Sequence, residues 1–233
     1  MNAYIIVEGE QTELSVYPAW LKILSPTLAR VQQMDAITQD SYYLFCGHGI
    51  PNIYTHIVNA VRDINEVNAK GIHRYDYLMV CMDTEEETRQ HILDTIKKHL
   101  KQEKVTPGGF ELVVFEHKVC METWFLGNSK IFKPNPQNRE LLKYIRHYNV
   151  KENNPEEMST IDEERFTTAQ FHLRYLKRMF EERNMTYNKN NTVEVCKKDY
   201  LEELVRRYEQ TGHIPSFGSW YEFVRDHFSK PSV

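Results

Sequence analysis

The N-terminal half of the chain alternates between short apolar runs and longer segments with helical periodicity. The apolar runs predict four strands, at residues 4–7, 42–46, 75–82 and 110–115. Between them, residues 12–24 and 53–67 place apolar side chains on one helical face. Strands that alternate with helices of this length predict an α/β fold, with an open, mainly parallel sheet flanked by helices.

The helix after the third predicted strand is expected to begin in an acidic cluster. Glu85, Glu86 and Glu87 would lie in its first turn, where the helix dipole favours negative charge. Lysines between residues 97 and 104 would lie at the other end, where positive charge is favoured. The sequence therefore predicts that this helix starts within the cluster.

From about residue 120 the alternation stops and helical segments follow. Helices are predicted at residues 160–183, 198–208 and 217–228. The sequence Pro134-Asn135-Pro136 is typical of a connection between domains. We therefore predict an α/β catalytic core over residues 1–130 and a C-terminal helical extension over residues 131–233.

The charge balance is slightly acidic. The 233 residues include 29 Lys and Arg against 33 Asp and Glu, which gives a net charge of −4. A protein that coats nucleic acid without specificity is usually far more basic. A nuclease is not excluded, because a metal ion held by carboxylates inverts the local charge.

The sequence also carries expectations about location. No apolar run approaches the ~18 residues of a membrane span, and the first residues lack the basic segment of a signal peptide. The 4 cysteines are scattered without a CxxC pair, which favours reduced thiols, and Cys46 and Cys81 are expected to be inert core residues. We therefore expect a cytoplasmic protein with no membrane partner.

Carboxylates follow two of the predicted strands. Glu8 ends the first strand and precedes Gly9, whereas Asp83 ends the third strand and Glu85 comes two residues later. Because parallel strands end at the same edge of a sheet, these side chains are expected to converge on one Mg²⁺ or Mn²⁺ ion. The structural alternative is that Glu8-Gly9 is an ordinary strand end and that Asp83 or Thr84 caps a helix.

Three segments in this order resemble a known family. Residues 5–13, Ile-Ile-Val-Glu-Gly-Glu-Gln-Thr-Glu, resemble the first motif of TOPRIM domains, and residues 78–85 resemble the second. Residues 120–126, Cys-Met-Glu-Thr-Trp-Phe-Leu, resemble a segment that follows the fourth strand in some relatives. The resemblance covers residues 4–130 and is closest to bacterial defence proteins, namely OLD-type and RloB-like nucleases and PARIS-type effectors.

The resemblance implies roles for the acidic residues. Glu8 would be a metal ligand or general acid/base, Asp83 and Glu85 would be metal ligands, and Glu122 would be a ligand at a second site. The family has Asp where this chain has Glu85, which leaves Glu86 as an alternative ligand. A lysine is often needed against the scissile phosphate, and Lys118 and Lys130 are the nearest candidates.

The function predicted from this resemblance is that of a Mg²⁺-dependent endonuclease. It would cleave DNA or RNA, including tRNA, as a toxic effector in bacterial antiphage defence, restrained by a companion ATPase sensor. The alternatives are a metal-dependent phosphohydrolase acting on a small nucleotide and a non-catalytic interaction module. His48, between two glycines, either adds an imidazole to the same edge or caps a turn.

The helical extension carries the remaining predictions. Arg174, Lys177 and Arg178 share one helical side and are candidates for binding substrate phosphates. We also expect a homo-oligomer, because the extension is rich in aromatic residues that would be exposed. These residues are Phe166, Phe171, Tyr175, Phe180, Tyr221 and Phe223.

Overall fold

The computed structural model describes residues 1–85 and 87–229. The chain divides into two compact units, each described separately below. Residues 1–116 and the segment from Glu222 form the first unit, and residues 117–221 form the second. This division does not coincide with the predicted connection at Pro134-Asn135-Pro136, and the assignment of residues 1–130 as a catalytic core stays a prediction.

The first unit is built on a five-stranded sheet. Its strands are β1 (Ala3–Val7), β2 (Ala29–Val31), β3 (Ser41–Cys46), β4 (Tyr77–Asp83) and β5 (Glu111–His117). Their order is β2-β3-β1-β4-β5, and β1 pairs in parallel with both β3 and β4. The predicted α/β fold with an open parallel sheet is confirmed. The strand that the sequence did not predict, β2, has only 3 residues and is largely exposed.

Helices cover both faces of this sheet. They are α1 (Thr12–Leu24), α2 (Asn52–Lys70) and α3 (Arg89–Gln102). Ile57 of α2 and Ile96 of α3 belong to one buried cluster with Val80 of β4. Neighbouring residues of a strand point to opposite faces, and the thiol of Cys81 hydrogen-bonds Tyr17 of α1. Thus α1 lies on the face opposite α2 and α3.

The predicted start of α3 in the acidic cluster is wrong. The helix begins at Arg89, and the hydroxyl of Thr88 caps it by accepting a hydrogen bond from the His91 N–H at 3.2 Å. Glu85 has a φ of 47°, a left-handed conformation that a right-handed helix does not contain. Glu87 also precedes the helix, whereas Glu86 lies outside the described residues.

The second unit is helical. It contains α4 (Met121–Leu126), α5 (Arg139–His147), α6 (Thr168–Glu181) and α7 (Lys198–Thr211), and α8 (Pro215–Phe228) begins in it. The predicted helices at 198–208 and 217–228 correspond to α7 and α8. The prediction of a helix from residue 160 is wrong, because Thr167 caps α6 in a capping box with Gln170. In the described chain, no helix combines the length and apolarity of a membrane span.

The aromatic residues of α6 are not exposed. Phe171, Tyr175 and Phe180 are fully buried within the second unit, so the expectation of an exposed aromatic surface is wrong for them. Tyr144 of α5 contacts the rings of Phe171 and Tyr175 at 5.0 and 5.7 Å between centroids. The sequence pattern does not predict α5, the helix whose Tyr144 covers these rings.

Candidate functional site

The ends of β1 and β4 carry the two acidic residues that the sequence analysis placed at strand ends. Val7 of β1 is paired with Cys81 of β4, so Glu8 follows β1 beside the last residues of β4. Asp83 is the final residue of β4. Both side chains therefore lie at the edge of the sheet where ligands bind in open parallel α/β folds.

A hydrogen bond joins the two strand ends directly. The Oε2 atom of Glu8 accepts the backbone N–H of Asp83 at 3.1 Å. Hydrogen bonds from backbone N–H groups to carboxylates stabilise the negative charge. The contact fixes the Glu8 carboxylate against the residue whose side chain is the second predicted ligand.

A concavity of about 640 Å³ opens at this edge of the sheet. It is lined by Glu8, Gly49, Ile50, Asp83, Thr84, Glu85, Glu87 and Ile92. We call it the acidic concavity, because four of these side chains are carboxylates. Nearby negative charges repel one another, and a bound cation relieves that repulsion.

The two outer carboxylates of the acidic concavity are presented by a turn. The backbone N–H of Glu87 donates to the carbonyl of Thr84 at 2.7 Å, which closes the turn around Glu85. Glu85 and Glu87 are exposed, whereas Glu8 and Asp83 are partly buried. The outer pair can thus change rotamer more freely than the inner pair.

A further carboxylate, which the sequence analysis did not select, lies beside Asp83. Glu13, in the first turn of α1, is buried and offers an oxygen within 4.8 Å of an Asp83 oxygen. Its carboxylate lies against Gly9, where an added Cβ would be only 2.4 Å from Glu13 Oε2. The sequence position of Glu13, about one helical turn after the Glu8-Gly9 pair, is the feature from which it could have been predicted as a site residue.

The negative charge of these carboxylates affects the pKa of Tyr17. Burial raises the pKa of the Tyr17 hydroxyl well above its usual range, and the neighbouring Cys81, Glu13 and Asp83 raise it further. Tyr17 therefore keeps its proton near neutral pH. Tyr17 thus adds no negative charge at this edge of the sheet and can act there only as a neutral hydrogen-bonding group.

The donor set fits a hard divalent cation. Glu8, Asp83, Glu85 and Glu87 offer only oxygen atoms to the acidic concavity. Mg²⁺ and Mn²⁺ prefer oxygen ligands, and Mg²⁺ is usually held by one or two carboxylates while keeping several waters. The residues present are thus sufficient for such an ion, without a nitrogen or sulfur ligand.

Three other predicted site residues belong to the second unit. Lys118 is exposed directly after β5. Glu122 of α4 is buried, and its Oε1 atom accepts the Tyr187 hydroxyl at 2.9 Å. Lys130 is paired with Glu203 at 3.4 Å. The roles of Lys118 and Lys130 at the phosphate and of Glu122 at a second metal site stay predictions.

The predicted phosphate-binding residues share one side of α6 and line a second concavity, of about 520 Å³. Its lining residues are Arg165, Phe166, Gln170, Leu173, Arg174, Lys177, Arg178 and Glu181, and we call it the basic concavity. The Arg174 guanidinium lies 4.4 Å from the centroid of the Phe166 ring. Arg178 pairs with Glu140 at 2.6 Å and with Glu181 at 2.5 Å, so much of its charge is compensated.

Comparison with known proteins identifies no relative of this chain. No family model matches the sequence, and neither the curated proteins nor the solved structures include a similar one. The resemblance to TOPRIM nucleases therefore rests on the motifs quoted above. Any functional conclusion has to come from those motifs and from the geometry of the site.

Proposed function

We propose that this chain is a divalent-metal-dependent nuclease whose metal ligands are the carboxylates of the acidic concavity. The observation that carries the proposal is the contact between Glu8 and the Asp83 amide, in a concavity lined by four carboxylates. It lies where the strands of a parallel sheet end, the usual ligand position in such folds.

The inner carboxylates, Glu8 and Asp83, are held in place as metal ligands. Glu8 is held by a backbone hydrogen bond, and Asp83 is fixed at the end of a buried strand, so both are preorganised ligands. Glu85 and Glu87, on the exposed turn, can adjust to the ion and the substrate. When bound, a divalent cation supplies positive charge that stabilises the charge developing on a phosphoryl oxygen.

Nucleic acid is the proposed substrate because the second unit offers a complementary surface. Arg174 and Lys177 line the basic concavity and can contact phosphates, while Phe166 offers an aromatic face beside Arg174. DNA and RNA, including tRNA, both have these features. The role in antiphage defence and the companion ATPase follow from the resemblance alone and stay predictions.

The test is a cleavage assay on the purified chain. Plasmid DNA and total tRNA are incubated with Mg²⁺, with Mn²⁺ or with EDTA, using wild type, Glu8→Gln and Glu66→Gln. Glu66 is an exposed carboxylate on α2 and serves as the matched control. We expect metal-dependent cleavage of at least one polynucleotide, lowered about 100-fold or more in Glu8→Gln and unchanged in Glu66→Gln.

Three outcomes would overturn the proposal. Hydrolysis of a small nucleotide without cleavage of either polynucleotide would select the phosphohydrolase alternative. Absence of Mg²⁺ and Mn²⁺ binding by calorimetry, together with absence of cleavage, would select the interaction module. Equal cleavage by Glu8→Gln and wild type would remove the acidic concavity from the chemistry.

A further inference from the structure

A second group of metal-ligating side chains lies at the ends of β1 and β3. Glu10, Cys46 and His48 each offer one ligand atom, and these three atoms lie within 4.8 Å of one another. Their side chains are not among those that line the acidic concavity. We propose that Glu10, Cys46 and His48, here called the thiol cluster, bind a transition-metal ion of the Zn²⁺ class, a role that replaces the expectation of an inert Cys46.

The backbone builds this cluster without help from a metal. His48 and Gly49 both have left-handed conformations, with φ of 56° and 72°, which bend the chain back after β3. The backbone N–H of His48 then donates to Cys46 Sγ at 3.3 Å. The His48 Nδ1 atom is hydrogen-bonded to Glu10 Oε1. The imidazole, the thiol and the carboxylate are therefore already together.

The three ligand atoms already lie within 4.8 Å of one another, and the hydrogen-bonded His48 Nδ1 and Glu10 Oε1 atoms have to move apart for both to bind one ion. Zn–S bonds of about 2.3 Å and Zn–N or Zn–O bonds of about 2.0–2.2 Å place tetrahedral ligand atoms about 3.3–3.6 Å apart. The side chains of His48 and Glu10 are 49% and 62% exposed, so both can rotate towards the sulfur. Three protein ligands leave a fourth tetrahedral position, which these exposed side chains leave open to solvent.

The chemistry of the donors separates this site from the acidic concavity. Thiolate and imidazole ligands favour Zn²⁺ and similar ions, whereas carboxylates alone favour Mg²⁺ and Mn²⁺. Binding replaces the thiol proton of Cys46, which is released to solvent. The thiol cluster is thus expected to discriminate strongly against Mg²⁺.

A metal ion bound by the thiol cluster would restrict the movement of the segment that carries Glu8. The carbonyl of Glu8 accepts the N–H of Gly49 at 3.1 Å, a hydrogen bond that remains when the Cys46 thiol, which donates to the same carbonyl at 3.6 Å, loses its proton. Glu10 lies two residues further along the same segment. Coordination by Glu10 and Cys46 would therefore tie the end of β1 to the end of β3, beside the predicted ligand Glu8.

Co²⁺ is the probe, because a cobalt–thiolate bond produces a charge-transfer absorption that carboxylates cannot give. The full chain is titrated with Co²⁺ in wild type, Cys46→Ser and Cys196→Ser; Cys196 is a partly buried thiol of the second unit and serves as the control. We expect saturable absorption in wild type and Cys196→Ser, displaced by Zn²⁺ but not by excess Mg²⁺. It should be absent in Cys46→Ser.

A second pair of variants covers the case in which Cys46→Ser does not fold. His48→Ala changes an exposed ligand, and His73→Ala changes another exposed histidine of the first unit. We expect His48→Ala to weaken Co²⁺ binding about tenfold or more, the lower end of the loss found for supporting groups of metal sites, with no change in His73→Ala. Absence of the absorption in wild type, its loss in Cys196→Ser or its persistence in folded Cys46→Ser would overturn the proposal.

Discussion

Gly9 makes room for a buried carboxylate at the edge of the sheet. A Cβ at this position would lie 2.4 Å from Glu13 Oε2, closer than two non-bonded atoms can approach. The glycine after Glu8 therefore has a packing reason, in addition to any approach by a ligand. Because Glu13 also lies beside Asp83, a side chain at residue 9 would have to displace the Glu13 carboxylate from its present position.

The ionisation of Glu203 on α7 is expected to make the free energy of unfolding depend on pH. Burial raises its pKa, but the donors and charges of Arg206, Ser129 and Lys130 outweigh burial and lower the pKa to about 2. A carboxylate whose pKa is lower in the folded state stabilises the fold above its unfolded pKa of about 4.5, and this contribution is lost as pH falls towards 2. At neutral pH the contribution is on the order of 3 kcal/mol.

Denaturant unfolding of wild type and Glu203→Gln, followed from about pH 7 to about pH 2, measures this contribution. We expect Glu203→Gln to be less stable at neutral pH, with the difference in free energy of unfolding shrinking below about pH 4.5. Glu202→Gln, at the exposed neighbouring carboxylate, is the control and should show no such trend. A pH-independent difference for Glu203→Gln would mean that packing, not ionisation, sets its contribution.

At the scale of elements, side-chain caps mark where α3 and α6 begin. The run of Glu85, Glu86 and Glu87 has the charge of a first helical turn, yet α3 begins only after Thr88. The hydroxyl of Thr88 accepts a backbone N–H of the first turn, which a carboxylate three residues earlier cannot reach. Charged side chains near a terminus stabilise a helix that has formed, whereas a capping side chain determines the residue at which the helix begins.

The capping box of α6 can be tested by substitution. Thr167 Oγ1 accepts the N–H of Gln170, and Gln170 Oε1 accepts the N–H of Thr167, both at 3.2 Å. We expect Thr167→Ala to lower the free energy of unfolding by about 1 kcal/mol. Thr167→Ser retains a hydroxyl and should lose only a fraction of that, as measured by denaturant unfolding. Equal losses in both variants would show that the methyl group matters and the cap does not.

The same helix carries the predicted phosphate contacts. If Arg174 and Lys177 each neutralise one phosphate, changing both to Gln should reduce the slope of log K against log salt by about 1.4–1.8 units. Binding of single-stranded and duplex oligonucleotides at several salt concentrations gives this slope. Lys97→Gln with Lys98→Gln removes the same charge from α3 and is the control. Equal slope changes in both double variants would indicate a diffuse charge effect.

Arg178 is expected to behave differently from Lys177 and from Arg174, whose distance to Glu140 is longer, at 3.9 Å. The guanidinium of Arg178 is paired with Glu140 and Glu181, and these ion pairs raise its pKa. Arg178→Gln should therefore affect the packing of α5 on α6 more than the salt slope. The sequence grouped Arg178 with Arg174 and Lys177 by spacing alone, which does not reveal the paired carboxylates.

At the scale of the whole molecule, the first unit is discontinuous in sequence. Residues 1–116 are completed by the chain from Glu222, where Phe223 contacts the ring of Tyr77 at 5.0 Å between centroids. The hydroxyl of Tyr77 also hydrogen-bonds His227 Nδ1 at 2.9 Å. The expected homo-oligomer stays a prediction, but Phe171, Tyr175 and Phe180, three of the six aromatic residues that suggested it, are buried.

Metal binding should stabilise the folded chain as a whole. A ligand that binds only the folded state at 100 times its Kd adds about 2.7 kcal/mol to the free energy of unfolding. We expect Mg²⁺ to raise the melting temperature of wild type and of Glu66→Gln, and EDTA to reverse the rise. Glu8→Gln and Asp83→Asn should show little response. An equal response in all four proteins would indicate that Mg²⁺ binds elsewhere.

Some features of this protein could be predicted because they are local. The prediction of a helix over residues 12–24 matches α1, since its apolar periodicity lies within one segment. In contrast, β2 is a strand only because Ala29–Val31 pairs with β3, and three largely exposed residues carry no periodic signal. The acidic residues at the ends of β1 and β4 were found because the strands themselves were predictable.

The alternation of strands and helices follows from the amino-acid sequence alone, and with it the edge of the sheet where Glu8 and Asp83 lie. By contrast, the approach of Glu13 to Asp83 and of Glu10 and His48 to Cys46 depends on the folded chain. The difference lies in how far apart in the sequence the interacting residues are. Periodicity and strand ends are properties of neighbouring residues, whereas a cluster of ligand atoms depends on loops from separate strands converging within a few ångströms.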